Sequence, residues 1–180
     1  MNMHINKSVV IFIPEKNFHD YEFTITKSLL EKNGFKVFIA SENKNLSTGQ
    51  FGLRIKPDTY LFNLHPENFR AIILIGGAGS RTYWKNELLI RTIKNFHSKG
   101  RILAAICSAV GILANAELLK GRKVTCFRDD VEFIKSTGAI VTNNLVEIDG
   151  QIITASGPDA AELFGKTICE IINKAKKVRI

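Results

Sequence analysis

Arg101-Ile102-Leu103-Ala104-Ala105-Ile106-Cys107-Ser108-Ala109 is a short apolar run that stops on a cysteine and continues into small residues. An apolar run of this length without alternation fits a strand buried on both faces of a sheet. Comparable runs stand at Ser8–Pro14, Phe35–Ala40 and Ala71–Ile75, the last followed by Gly76-Gly77-Ala78-Gly79. Helical spacing fills the intervals. Glu22–Asn33 carries Ile25 and Leu29 on one face, with Gly34 placed to stop it, and Trp84–His97 carries Leu89, Ile93 and Phe96. Ser108–Leu119 and Asp130–Ser136 read as further helices. So does Pro158–Lys174, with Ala161, Phe164, Ile168, Ile171 and Ala175 as its buried stripe. Lys123–Cys126 reads as a short strand, Leu145–Thr154 as a hairpin about Asp149-Gly150, and 41–60 as a loop or small hairpin. The alternation predicts an α/β three-layer sandwich: a mostly parallel sheet, helices on both faces, and a β-hairpin in the C-terminal half.

The chain has 180 residues, 45% hydrophobic and 23% charged. That size suits a single domain, 1–180, able to build a core without disulfides or structural metal. No apolar run reaches the roughly 18–20 residues that cross a bilayer, and Met1–Ser8 shows no signal-peptide pattern, so a cytoplasmic protein without membrane contact is expected. The net charge of +8 invites a nucleic-acid reading. Yet Lys174, Lys176, Lys177 and Arg179 crowd the last seven residues, and the other charges are mixed, which predicts a basic tail and no nucleic-acid partner. Cys107, Cys126 and Cys169 are odd in number and fit no zinc or disulfide spacing. No metal or cofactor is implied.

Ligand sites in parallel sheets lie at the carboxyl ends of the strands. Cys107, pinned between a strand and a helix, has the logic of a nucleophile elbow, with alanines where serine hydrolases have glycines. A helix N-terminus there would favour thiolate over thiol. The alternative is a small buried hydrophobe. Gly76-Gly77 lacks the spacing of a dinucleotide or phosphate loop, but its backbone and the Ser108 amide could form an oxyanion hole opposite Cys107. Glu22 lies on the same rim. Partly dehydrated, it could share a proton with a thiolate, or it is only a favourable partner of the helix dipole.

At these residues the sequence resembles the ThiJ/PfpI superfamily, which includes protein deglycases and PfpI-type intracellular proteases. The resemblance runs from Val9-Val-Ile-Phe-Ile13 through Ile75-Gly76-Gly77, Ala105-Ile106-Cys107, Leu113-Ala-Asn-Ala116 and Leu119-Lys-Gly-Arg-Lys-Val-Thr125. It ends in Asp149-Gly-Gln-Ile-Ile-Thr154 and Ser156-Gly157-Pro158. It implies a flavodoxin-like fold related to class I glutamine amidotransferases, and a homodimer or larger homo-oligomer. It makes Cys107 the elbow cysteine, Glu22 its acid partner, and Gly77 and Ser108 the backbone donors.

Three departures stand out. Where PfpI-type relatives have histidine after the cysteine, this chain has Ser108. Where deglycase-like relatives have histidine after the Leu-Lys-Gly-x-Lys-Val-Thr block, it has Phe127. The acid that completes the PfpI triad from a neighbouring subunit falls on Arg81. His19 is the one local candidate for an imidazole base. Cys126, beside the missing histidine, could resolve an oxidised Cys107 as a disulfide or be packed and inert, and Cys169 reads as core.

These features suggest thiol chemistry on small reactive carbonyls or their adducts. The alternatives are a non-catalytic oxidative-stress sensor or chaperone and, with the imidazole missing, a PfpI-type peptidase or amidase. Losing general acid–base help removes a factor of roughly 10²–10⁴ from peptide hydrolysis.

Overall fold

Val9, Val10, Ile11 and Phe12 are all fully buried, because successive side chains of their strand point to opposite faces and both faces are covered. The computed structural model describes residues 7–177. Residues 1–6, and Arg179 of the basic tail, lie outside the described residues. The chain begins with β1 (Ser8–Phe12), β2 (Lys16–Phe18), α1 (Asp20–Lys32) and β3 (Lys36–Ser41). The 41–60 stretch, expected as a loop or small hairpin, contains β4 (Ser47–Gly49), β5 (Arg54–Ile55) and β6 (Thr59–Tyr60). Then come β7 (Ala71–Leu74), α2 (Glu87–Ser98), β8 (Ile102–Ile106) and α3 (Val110–Asn115). The chain closes with β9 (Lys123–Val124), α4 (Val131–Ser136), β10 (Ile140–Val141), β11 (Val146–Asp149), β12 (Ile152–Ala155) and α5 (Ala161–Lys177).

The main sheet has the order β11-β12-β8-β7-β1-β3-β6. Every neighbouring pair is parallel except the hairpin β11–β12, which turns at Gly150 with φ +62°. β4 and β5 form the small hairpin, and β2 adds to its side.

Period-two alternation divides the core. Val9, Ile11, Ile73, Ala104 and Ile106 face α1 and α5, packing with Phe23, Leu30, Phe164, Ile168 and Ile172. Val10, Phe12, Ile72, Leu74, Leu103 and Ala105 face the other helices, with Leu89, Ile93, Phe96, Leu113 and Ile134. Each of the larger of these side chains withdrawn from water contributes about 1.5–3 kcal/mol before the entropy of ordering it. The three-layer α/β sandwich with its C-terminal-half hairpin is as expected.

Several element boundaries are corrected. The helix expected from Trp84 starts at Glu87, because Asn86 accepts the Leu89 amide in its side chain and caps it; residues Ala78–Tyr83 instead form a 3-10 turn. The helix expected from Ser108 begins as a 3-10 turn over Cys107–Ala109 and runs as α-helix only to Asn115. β9 does not join the main sheet but pairs with β10. Ala175 is exposed, and Ile172 takes the next place in the α5 stripe.

Candidate active site

β8 delivers Cys107 to the carboxyl edge of the sheet, where the chain must reverse into α3. Cys107 has φ +60°, a left-handed backbone that costs a non-glycine residue energy unless its surroundings hold it there. Ala104, Ala105 and Ala109 are fully buried around the turn, where small side chains let elements approach. Amides of Gly77 and Ser108 hydrogen-bond the sulfur, and the Ser108 hydroxyl lies 4.0 Å away. Gly77 itself has φ +104°, and a β-carbon there would press on the backbone of Asn17 and His19. Asn17, with φ +57°, is a second left-handed residue at this rim, a conformation asparagine adopts readily.

Glu22, on the first turn of α1, is fully buried. Its Oε2 accepts the Gly76 amide at 3.0 Å, and its carboxyl also hydrogen-bonds Cys107. Oε1 is buried without a hydrogen-bond partner. A β-carbon on Gly76 would sit 2.6 Å from Cys107 Cβ and 2.8 Å from Glu22 Oε2, so only glycine fits between acid and thiol.

Burial raises the Glu22 carboxyl to about 8, against the opposing hydrogen bonds of Gly76 and Cys107. Burial and then the Glu22 charge push the Cys107 thiol up to about 12, and the Ser108 and Gly77 amides only partly offset this. The elbow amides do favour thiolate, but desolvation outweighs them. The two groups form one coupled system that gives up its first proton as a pair. With Glu22 protonated, its charge no longer opposes a thiolate.

His19 caps α1: its Nδ1 accepts the Glu22 amide at 3.4 Å, and its ring meets Phe51 edge-on. Burial lowers its pKa, with Asp20 opposing. One ring nitrogen is thus taken by the helix end, which argues against the imidazole-base reading. Arg81 donates Nε and Nη2 to Oδ1 of the buried Asp130, at 3.0 and 2.7 Å, and its guanidinium lies 5.8 Å from the Phe127 ring centre.

Phe127 packs against the cluster containing Cys107, whereas Cys126 belongs to the cluster on the other side of the sheet. Burial pushes Cys126 up to about 12, and all three cysteines are free. Cys126 and Phe127 line a cavity of about 370 Å³ with Leu145, Ser156, Gly157 and Pro158. Cys169 is core, as expected. Among the described residues no cluster of three or more His, Cys, Asp or Glu could hold a metal.

Three roles escaped the sequence. Gly76 is the spacer between acid and sulfur. Asp20 accepts the Phe51 and Leu53 amides at 3.0 and 2.8 Å, tying the β4–β5 hairpin to the turn that carries Glu22. Trp84 donates Nε1 to the Ser108 carbonyl at 2.7 Å. Capping preferences hint at Asp20; neither other role leaves a local signal.

A mostly parallel α/β sheet with helices on both faces thus carries, at its carboxyl edge, a buried acid on α1 and a left-handed cysteine at the end of β8. Residues 7–171 match the DJ-1/PfpI family, and the chain belongs to that family. It is 36% identical over 172 residues to an uncharacterized protein of Methanocaldococcus jannaschii, covering 94% of this chain and 84% of that one. It is 30% identical over 152 residues to deglycase PfpI of Pyrococcus furiosus, covering 83% and 90%. The crystal structure of a ThiJ/PfpI domain protein from Brachyspira murdochii is similar, with TM-score 0.90 and 27% identity over 94% of this chain and 97% of the other.

Proposed function

We propose that this protein, as one unit over 1–180, uses Cys107 to add to small reactive carbonyls or their adducts, in the manner the deglycase name of its Pyrococcus furiosus relative suggests. The observation that carries this is the hydrogen-bonded pair of a buried, readily protonated Glu22 and the left-handed Cys107. The pair enters the step one proton down, as a thiolate beside protonated Glu22; the sulfur forms a bond to the carbonyl carbon, the π electron pair moves to oxygen, and that oxygen takes the proton carried by Glu22, leaving a carboxylate. The Gly77 and Ser108 amides stabilise the negative charge while it is on sulfur. Reversal releases the carbonyl. Release of a hydroxy acid from a dicarbonyl needs a further proton shift between its two carbons and attack by water on the resulting thioester.

Purified protein is expected to consume methylglyoxal, and Cys107→Ser to abolish this. Equal consumption by both would refute the proposal. A second copy of the chain as partner, and a cytoplasmic setting, belong to the same proposal; the mass in solution checks the first. Among the described residues no helix is long and apolar enough to cross a membrane.

The same donors favour a second reading, an oxidative-stress sensor. A sulfinate on Cys107 would accept from the amides and from protonated Glu22. Mild peroxide should then modify Cys107 ahead of Cys126 and Cys169. The peptidase reading is the weakest, because Ser108 and Phe127 stand at the family's histidine positions and His19 caps α1.

A further inference from the structure

The two amides that face the Cys107 sulfur come from different elements. Ser108 belongs to the elbow, whereas Gly77 opens the six-residue 3-10 turn Ala78–Tyr83. Their separation is therefore set by whatever locks that turn against the elbow. Trp84 ends the turn, and its indole Nε1 donates to the carbonyl oxygen of Ser108 at 2.7 Å. The element that starts with one donor thus ends bolted to the residue that supplies the other, across about 12 Å of 3-10 helix. At the Gly77 end Ser80 donates both its amide, at 3.0 Å, and its hydroxyl, at 2.7 Å, to the Gly77 carbonyl, so the turn is stiff where the first amide leaves it.

The indole is held on two further sides. It stacks on Phe133 of α4 with ring centres 4.6 Å apart and planes 12° from parallel. It also fills the space that a β-carbon on Gly111 of α3 would need. A half-buried ring fixed on three sides is a clamp, and filling space alone would not require its N–H to meet that carbonyl.

We propose that Trp84 is a positioning residue for the thiol site: through Ser108 it fixes the spacing of the Gly77 and Ser108 amides about the Cys107 sulfur. This rests on Cys107 being the reactive thiol, but not on which carbonyl or oxidant it meets. Misplacing a stabilising group by a fraction of an ångström to an ångström costs one to two orders of magnitude in rate.

The test is alkylation of the full-length protein by iodoacetamide between about pH 6 and 10, with Cys107 modification followed by peptide mass spectrometry. Trp84→Phe keeps an aromatic ring for Phe133 and removes the N–H. Phe133→Leu loosens the stack and keeps the N–H. Trp84→Phe is expected to slow Cys107 alkylation about tenfold near neutral pH and to move its pH profile upward. Phe133→Leu, with a comparable loss of melting temperature, should keep the wild-type profile. Gly111→Ala, which pushes the indole off Ser108 without touching either donor, should act like Trp84→Phe and serves if that variant does not fold.

A wild-type rate and profile in Trp84→Phe overturns the proposal. So does an equal shift in Phe133→Leu, which would make the effect one of general packing. Methylglyoxal is not used, so failure of the carbonyl reading and failure of the clamp are seen separately.

Discussion

The carboxyl of Glu22 and the thiol of Cys107 share a hydrogen bond in a place where the acid is closed to solvent and the thiol nearly so, and a side chain on Gly76 would collide with both. Above about pH 8 the acid becomes a carboxylate and its charge opposes a thiolate beside it. Glu22→Gln is therefore expected to alkylate at Cys107 faster than wild type above that pH, while the difference narrows below it. The rate–pH curve with a neutral alkylating agent checks this; a wild-type curve in the variant would separate the two groups electrostatically.

The same acid makes stability depend on pH. Its folded-state pKa of about 8 lies above the ordinary value of 4.5, so the folded protein binds the extra proton between those values. Stability contributed by burying neutral Glu22 is fully present below about pH 4.5 and is lost as pH rises through about 8. Thermal melts should show stability falling across that window by on the order of a few kcal/mol, and Glu22→Gln should flatten the slope.

Gly76→Ala tests the spacing directly. The added carbon would meet Cys107 Cβ, the Ile106 carbonyl and Glu22 Oε2 at 2.6, 2.7 and 2.8 Å, with two backbone-anchored elements unable to retreat. A loss of about 1–3 kcal/mol is expected in denaturant unfolding, as for overpacked cores, together with loss of the Glu22 effect on the thiol.

Arg81 and Asp130 form the pair that joins the glycine turn to the start of α4. The Asp130 side chain is 4% exposed and the Arg81 side chain 41%, and Oδ2 of Asp130 already lacks a partner. Arg81→Ala would strand a buried carboxylate, at a cost of about 2 kcal/mol after discounting for the exposed guanidinium. Asp130→Asn should cost less, because no charge is left buried. Melting temperatures of the two variants decide the order.

The strands and the elbow were legible because burial on both faces writes a continuous apolar run, as in Ile102–Ile106, and because small residues must surround a sharp turn. Glu22 could be found through the resemblance and through its rim position at the start of a helix. The burial that raises its pKa comes from tertiary packing, and the Gly76 amide that opposes the rise comes from 54 residues away, so neither leaves a local trace. The strands within 41–60 are two or three residues long, too short for any period to show. The apparent Trp84–His97 helix starts late, at Glu87, because Asn86 caps it there and a cap outweighs the preceding pattern. Trp84 itself reads in sequence as the first residue of that helix, whereas its function depends on a carbonyl 24 positions on.

The chain has a single tryptophan, and its indole N–H is bonded to the residue that follows the elbow cysteine. Excited at wavelengths that only the indole absorbs, this protein therefore emits from one address, beside the thiol. A change in charge or volume on Cys107 is within optical reach without any label, so adducts can be watched forming and leaving in real time, with wild-type protein and in unfractionated mixtures of small molecules.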